Sequence, residues 1–285
     1  MPNRSGATAE FKLSITRALG DQLADTLDGL TPTSLDRDAL TLEVADRAGV
    51  YELFLGSERV YVGKAAKSLR ERLLQHWRKL SGRTGIDMGR MAYVCVYVDE
   101  DLDSAAPEKL LIKKYRADGA VPWNTNGFGN KDPGKERDTT VIESNHFDAL
   151  YPIDLDFEVD LGDSLPRTFE GVPMPGLLKW IKRVLPYNFR YGTSSANTRQ
   201  YADIMVPVSS PSVSARDLFA RIAEFLPAGW QVTVLPGYVI AYPESRTYPS
   251  ALLWWRNENG RVLEIAGPRE FAQAATIKER EEEIV

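Results

Sequence analysis

The sequence predicts an α+β protein: a small antiparallel three-stranded sheet flanked by helices, followed by a second α+β domain. Three observations predict it. Short strand-like runs at 49–55, 59–63 and 91–98 are separated by a Gly56-Ser57 turn and by a helical segment. Apolar residues recur at helical spacing over 11–30, 69–80 and 107–117. Beyond residue 140 strands and helices follow in mixed order, with most of the tryptophans. The predicted organisation is an N-terminal helical arm over 1–48, a central domain over 49–140 and a C-terminal α+β domain over 141–285.

In order, residues 1–10 lack apolar anchors, and Ile15, Leu19, Leu23 and Leu27 mark the first helix. TPTS and DRDAL read as a loop and short turn. Gly49–Leu55 and Arg59–Gly63 pair antiparallel, with Tyr51 sharing a face with Leu53 and Leu55. Tyr61 shares a face with Gly63, where the missing side chain admits a close neighbour. Ser68 is suited to cap the helix from Leu69 to Leu80. Leu69, Leu73, Leu74 and Trp77 form its apolar stripe, and Arg72 and His76 stand one turn apart. Met91–Val98 alternates as a third strand, and Pro107 opens a helix to Ala117. Val121–Asn124 is expected to be extended, and the glycine-rich TNGFGNKDPGKERD to be an ordered loop anchored by Phe128.

In the C-terminal part, strands are expected at 155–161, 202–208, 230–234, 238–242, 252–256 and 261–265, and helices at 174–185 and 215–226. The intervening NFRYGTSSANTRQ reads as a polar loop, and the acidic tail Glu279–Glu283 as a frayed helix end.

Hydrophobic content of 43% and charged content of 26% are those of a globular protein. No apolar run approaches the roughly 20 residues needed to span a bilayer, and the first residues carry no apolar secretory core, so the expected location is cytoplasmic, without membrane association. The single cysteine, Cys95, excludes an internal disulfide and any cysteine-based zinc site. Net charge is −5, but residues 179–199 hold five basic and no acidic side chains, a local basic face interleaved with Trp180, Tyr187, Phe189 and Tyr191.

The candidate chemistry gathers in GVYELFLGSERVYVGKAAKSLRERLLQH, residues 49–76. Phosphodiester hydrolysis needs a deprotonated, aimed water, neutralisation of the charged transition state and help for the leaving oxygen. Arg72 can supply fixed, bidentate positive charge. Glu108 lies on the apolar face of its helix, where a carboxylate needs a partner; a metal ion and a nearby lysine are the two candidates. Magnesium suits a single carboxylate because it keeps most of its waters. Tyr51, Tyr61, Lys64 and His76 are the acid–base groups within reach. A phenol with a pKa of about 10 is a poor base at neutral pH, so it needs the metal, Lys64 or His76 beside it. Each residue alone has a plain structural reading: strand tyrosines pack, Arg72 and His76 line a solvated helix face, Glu108 complements a helix dipole, and His146 is structural.

Gly49-Val50-Tyr51 followed by Tyr61-Val62-Gly63 resembles the paired motif that names the GIY-YIG nuclease superfamily. Arg72, Glu108 and Asn124 follow in the superfamily's order. The pieces VYVGKA, RLLQH, EKLLIKKY, PWN and NGFGNKDPG resemble most closely the GIY-YIG type II restriction endonucleases. Val50 and Val62 stand where isoleucine is usual, and residues after 140 have no counterpart in the resemblance. It implies that 49–140 is a GIY-YIG nuclease domain. Tyr51 would be the general base or water-orienting group with Lys64 nearby, Arg72 the phosphate contact, and His76 an assistant within the tyrosine cluster with Tyr61. Glu108 would be the ligand of one Mg2+, for which Mn2+ can substitute, and Asn124 a residue that holds the site together. The implied activity is site-specific, metal-dependent hydrolysis of double-stranded DNA by a homodimer, paired in function with a DNA methyltransferase. The C-terminal domain would then serve target recognition or dimerisation. Further DNA contacts are expected from Lys67, Arg78, Lys79, Asn126, Asn130, Lys131, Arg190 and Arg199. The alternatives are a repair or structure-selective nuclease, and a non-catalytic DNA-binding protein on the same scaffold.

Overall fold

Antiparallel pairing dominates the chain from Thr33 onward, as its short alternating segments demand. The computed structural model describes residues 15–98, 107–117, 121–130, 134–162, 165, 171–208, 210–258 and 260–274, without the side chains of 15–17, 107–108, 116–117 and 136. The acidic tail and residues 1–10 lie outside the described residues. The chain folds as two units, one of residues 1–74 and 89–125, the other of 75–88 and 126–285. The described residues of the expected N-terminal helical arm, 15–48, fall in the same unit as the first sheet.

The first unit contains α1 (Ile15–Asp28), β1 (Thr33–Ser34), α2 (Arg37–Glu43), β2 (Gly49–Leu55), β3 (Glu58–Ala65), the start of α3 (Leu69–Ser81), β4 (Met91–Tyr97) and α4 (Pro107–Ala117). The sheet has four strands, not three, in the order β1-β4-β2-β3, because the two-residue β1 pairs with Tyr93 and Ala92 of β4. α2 replaces the expected loop: Asp36 Oδ1 accepts from the N–H groups of Asp38 and Ala39, both at 3.0 Å, and Leu40 is buried. Ser68 caps α3 as the sequence predicts, accepting from the Glu71 N–H at 3.1 Å. One face of the sheet is packed by α1 and α4, where Ala24, Leu27, Leu111 and Tyr115 meet Val50, Phe54, Val62 and Val94.

After Asn126 the second unit contains α5 (Phe147–Leu150), β5 (Glu158–Asp160), β6 (Val172–Pro173), α6 (Met174–Val184), β7 (Asn188–Tyr191), α7 (Ser195–Tyr201), β8 (Met205–Val206), β9 (Ser212–Ser214), α8 (Ala215–Phe225), β10 (Gln231–Leu235), β11 (Tyr238–Tyr242), β12 (Leu253–Glu258) and β13 (Arg261–Ala266). Its main sheet runs β13-β12-β10-β11-β7, antiparallel except for β7, which pairs parallel with β11. The expected polar loop at 188–200 is therefore a strand and a helix. Phe189 is buried opposite Val239, and Ser194 caps α7 by accepting from the Asn197 N–H at 3.2 Å. The strands expected at 155–161 and 202–208 shrink to β5 and β8, which form two-stranded pairs with β9 and β6. Leu177, Ile181, Leu218, Phe219 and Ile222 of α6 and α8 cover one face of the main sheet. Tyr238, Tyr242, Tyr248 and Trp254 form a second core on the other.

A buried ionic knot ties the second unit together. Asp148, in the first turn of α5, pairs with Arg83 at 2.8 Å and with Arg137, while the Arg83 guanidinium also reaches the Tyr151 carbonyl at 3.0 Å. Burial opposes the charge on Asp148, but Arg83, Arg137 and Lys79 outweigh it and hold the carboxyl far below the usual carboxylate range. His146 is structural, as expected: its Nδ1 accepts from the Asp148 N–H at 3.1 Å, and burial lowers its pKa.

Two outcomes follow from this knot. A carboxyl with a depressed folded-state pKa stabilises above its unfolded value near 4 and ceases to as pH falls through the folded value. Thermal melting of the second unit should therefore lose stability progressively with acidification below about pH 4. Asp148→Asn should flatten that dependence and, by leaving Arg83 buried without its counter-charge, cost about 3–5 kcal/mol at neutral pH. Melting followed by circular dichroism across pH reads both.

Candidate active site

The β2–β3 register decides the geometry of the first unit's polar centre. Tyr51 lies directly opposite Gly63, and Leu53 opposite Tyr61. Cross-strand partners share a face, so Tyr51, Tyr61 and Gly63 stand on one side of the sheet. A Cβ at position 63 would overlap the Tyr51 hydroxyl and ring, and would come within 2.8 Å of Tyr61 Cε1. The glycine therefore lets the Tyr51 phenol lie across β3. The two tyrosine rings sit 6.1 Å apart, tilted by 42°.

Arg72 of α3 meets both phenols. Its Nε donates to the Tyr51 hydroxyl at 3.2 Å, and Tyr61 also shares a side-chain hydrogen bond with it. Burial works against its charge, but Tyr51 and Tyr61 outweigh that cost, so the guanidinium holds its proton more firmly than in water. A phenol near neutral pH is a dipole, not a counter-charge. The pair therefore orients Arg72 without neutralising it. Tyr51 is fully buried, Tyr61 is 5% exposed and Arg72 is half-buried, which makes this a partly desolvated positive centre suited to an oxyanion.

Asn124 closes the open edge of β3. Its Oδ1 accepts from the Val62 N–H at 2.9 Å, and its Nδ2 donates to the Val62 carbonyl at 2.8 Å. The amide thus stands in for a neighbouring strand at the residue between Tyr61 and Gly63. The expected extended segment here is instead a 3-10 turn over Pro122–Asn124, entered through Val121 at a φ of 62°. That is a costly conformation for a β-branched residue. It persists because Val121 is buried and its N–H donates to the Arg59 carbonyl at 3.2 Å, which sets Asn124 against Val62.

Lys64 pairs with Val50, so strand alternation puts it on the face that α1 and α4 cover, with Val62 rather than with Tyr61. Glu108 belongs to α4, which packs on that same face, but its side chain lies outside the described residues. His76 belongs to the second unit, where it is buried and stacks on Phe128 with ring centres 4.9 Å apart. Among the expected DNA contacts, Lys67, Asn130 and Arg199 are exposed. Arg78 donates from Nε to the Leu185 carbonyl at 3.1 Å, Lys79 donates to the Phe128 carbonyl at 2.6 Å, and Arg190 pairs with Asp138. Asn126 is buried, and Lys131 lies outside the described residues.

Sequence reading missed a second buried charge system, on the opposite face of the sheet. Glu52 is fully buried and accepts from Arg59 Nε at 2.8 Å, and Arg59 also pairs with Asp28 and lies 3.9 Å from the centre of the Tyr115 ring. Burial raises the Glu52 pKa despite Arg59. The available signal was a carboxylate in the middle of a strand, GVYELFL, that is apolar on both sides. Cys95, opposite Tyr51 on β4, is pushed up to about 11 by burial and is a thiol, not a nucleophile, near neutral pH. Among the described residues no three or more His, Cys, Asp or Glu side chains are grouped to hold a metal.

Two substitutions test this geometry. Gly63→Ala should destabilise the first unit by about 1–3 kcal/mol through overpacking against Tyr51. Asn124→Asp keeps an acceptor for the Val62 N–H but sets a carboxylate against the Val62 carbonyl; the expected cost is about 1–3 kcal/mol. Urea denaturation midpoints compared with wild type measure both.

No family model and no curated protein matches the sequence, so the reading of this centre rests on its residues and their geometry.

Proposed function

We propose that the chain is a metal-dependent DNA endonuclease of site-specific restriction type, resembling the GIY-YIG nucleases. One observation carries the reading: the half-buried Arg72 guanidinium of α3, oriented by two phenols from the paired strands that hold GVY and VYVG. Such a centre is complementary to a phosphodiester on its way to the pentacovalent state. Arg72 takes a non-bridging oxygen, and its attraction strengthens as the phosphate gains charge. Tyr51, its hydroxyl held by Arg72 Nε, orients the attacking water, whose proton passes to solvent. Asn124 keeps the β3 edge, and so Tyr61 and Gly63, in register. His76, placed with Phe128, is assigned no step.

Magnesium, or manganese in its place, would be held by Glu108, the single carboxylate of the reading. A hard ion that keeps most of its waters needs few protein ligands, so one carboxylate can suffice. Bound there, it would supply Lewis-acid stabilisation of the phosphate and leaving oxygen. A homodimer would place two such centres on the two strands of a palindromic site, and a partner methyltransferase would protect the host's copies of that site.

The test is incubation of the full chain with unmodified and methylated double-stranded DNA and magnesium. Wild type should cut at fixed positions. Arg72→Ala should slow cutting by about 100-fold or more, Tyr51→Phe by about 100-fold, and Glu108→Ala should abolish metal dependence together with activity. Nicks confined to branched DNA would move the reading to a structure-selective nuclease. Tight binding with uncut DNA in every metal, and no difference among the variants, would overturn it.

A further inference from the structure

The second unit contains a cleft of about 490 Å³ lined by Lys135, Asp138, Glu244, Ser245, Arg246 and Tyr248. That volume lies within the usual range for small-molecule sites. Its lining is ordered by depth. Asp138 and Tyr248 are buried, Glu244 is half-buried, and Lys135, Ser245 and Arg246 are exposed. The inner end is therefore made of carboxylates and a phenol, and the outer end carries two cations.

The walls are held in place before any ligand arrives. Asp138 is gripped by Arg190 and hydrogen-bonded to the Tyr238 hydroxyl. The Tyr248 hydroxyl donates to Glu244 Oε1 at 2.5 Å. The loop backbone is tied to the sheet, the Arg246 carbonyl by Gln231 Nε2 at 2.8 Å and the Ser245 carbonyl by Arg256 Nη2 at 3.0 Å. Lys135 rests its ammonium 4.5 Å from the centre of the Tyr242 ring. A pre-formed wall loses little ordering entropy on binding.

Charge selects the ligand. Two outer cations match a phosphate monoester, which carries about −1.5 to −2 near neutral pH, better than they match one carboxylate. At the inner end Asp138 already has Arg190 as counter-charge. What its carboxylate and Glu244 call for is a neutral N–H donor rather than an ammonium. We propose that the cleft binds a nucleotide whose base carries an exocyclic amine, the phosphate held by Lys135 and Arg246 and the amine by Asp138 and Glu244. The nucleotide is either free or one unit of a strand turned out of its stack. The inference rests on the cleft alone and does not depend on the nuclease reading.

Calorimetric titration of the full chain, without divalent metal, tests it with dCMP, dTMP and the single strands dC12 and dT12. Binding of dCMP about tenfold or more tighter than dTMP is expected, because an amine that meets a carboxylate is lost in dTMP. Arg246→Ala should weaken both mononucleotides by a similar factor, about tenfold, and Glu244→Gln should shrink the preference for dCMP. Tighter binding of dC12 than dCMP, lost in Glu244→Gln, assigns the site to a unit of a strand. Binding of dCMP with none of dC12 assigns it to a free nucleotide. No binding of dCMP at millimolar concentration, or equal binding of dCMP and dTMP by wild type and Glu244→Gln, overturns the proposal. The titration omits divalent metal and reads binding rather than cleavage, which separates this outcome from that of the cleavage test.

Discussion

The first unit depends on one steric constraint: the Tyr51 phenol occupies the space where a side chain at position 63 would be. A fully buried hydroxyl must find a polar partner inside the protein, and this one finds Arg72 Nε. The half-buried Arg72 in turn is oriented by the phenols that hold it. The glycine, the tyrosine and the arginine therefore support one another, and the loss of any of them strands the others. The antiparallel register, with Tyr51 opposite Gly63, makes the arrangement possible. The Asn124 amide protects that register at the edge where no further strand pairs.

Both faces of the first sheet carry buried charge, but of different kinds. On the Tyr51 face an arginine is oriented by the dipoles of two phenols. On the other, Arg59 faces the carboxylates Glu52 and Asp28, so its charge is consumed internally. The contrast is between a cation oriented by phenols and one paired with carboxylates. The second unit repeats the paired kind, with Arg83 and Arg137 converging on Asp148. There the ions join segments distant in sequence, and their loss costs fold rather than chemistry.

Much of this was legible where the signal is local. The hairpin, the Ser68 cap, the α3 stripe and the helix opening at Pro107 depend on residues within a few positions of one another, and the structure has them where spacing places them. Local signals also misled. Asn188–Tyr191 is polar enough to pass for a loop, yet it is a strand because β11, some fifty residues on, offers it a parallel edge. DRDAL passes for a turn until Asp36 is seen capping two N–H groups and Leu40 is seen buried. The basic residues Arg78, Lys79 and Arg190 read as a surface for DNA, but each has a partner within its own unit that no spacing rule could supply.

By itself, the sequence determined the identity and order of the candidate groups, Tyr51, Tyr61, Arg72, Glu108 and Asn124, and the secondary structure that carries most of them, because these follow from residue type and short-range periodicity. Only the tertiary structure decided which of them meet. It brings Tyr51, Tyr61 and Arg72 together, turns Lys64 to the other face, sets His76 against Phe128 and gives Asn124 its hold on Val62. The physical reason is that strand register and burial are properties of pairs of segments distant in the chain. A charge's partner, unlike its position on a helix, is chosen by what the fold brings alongside it.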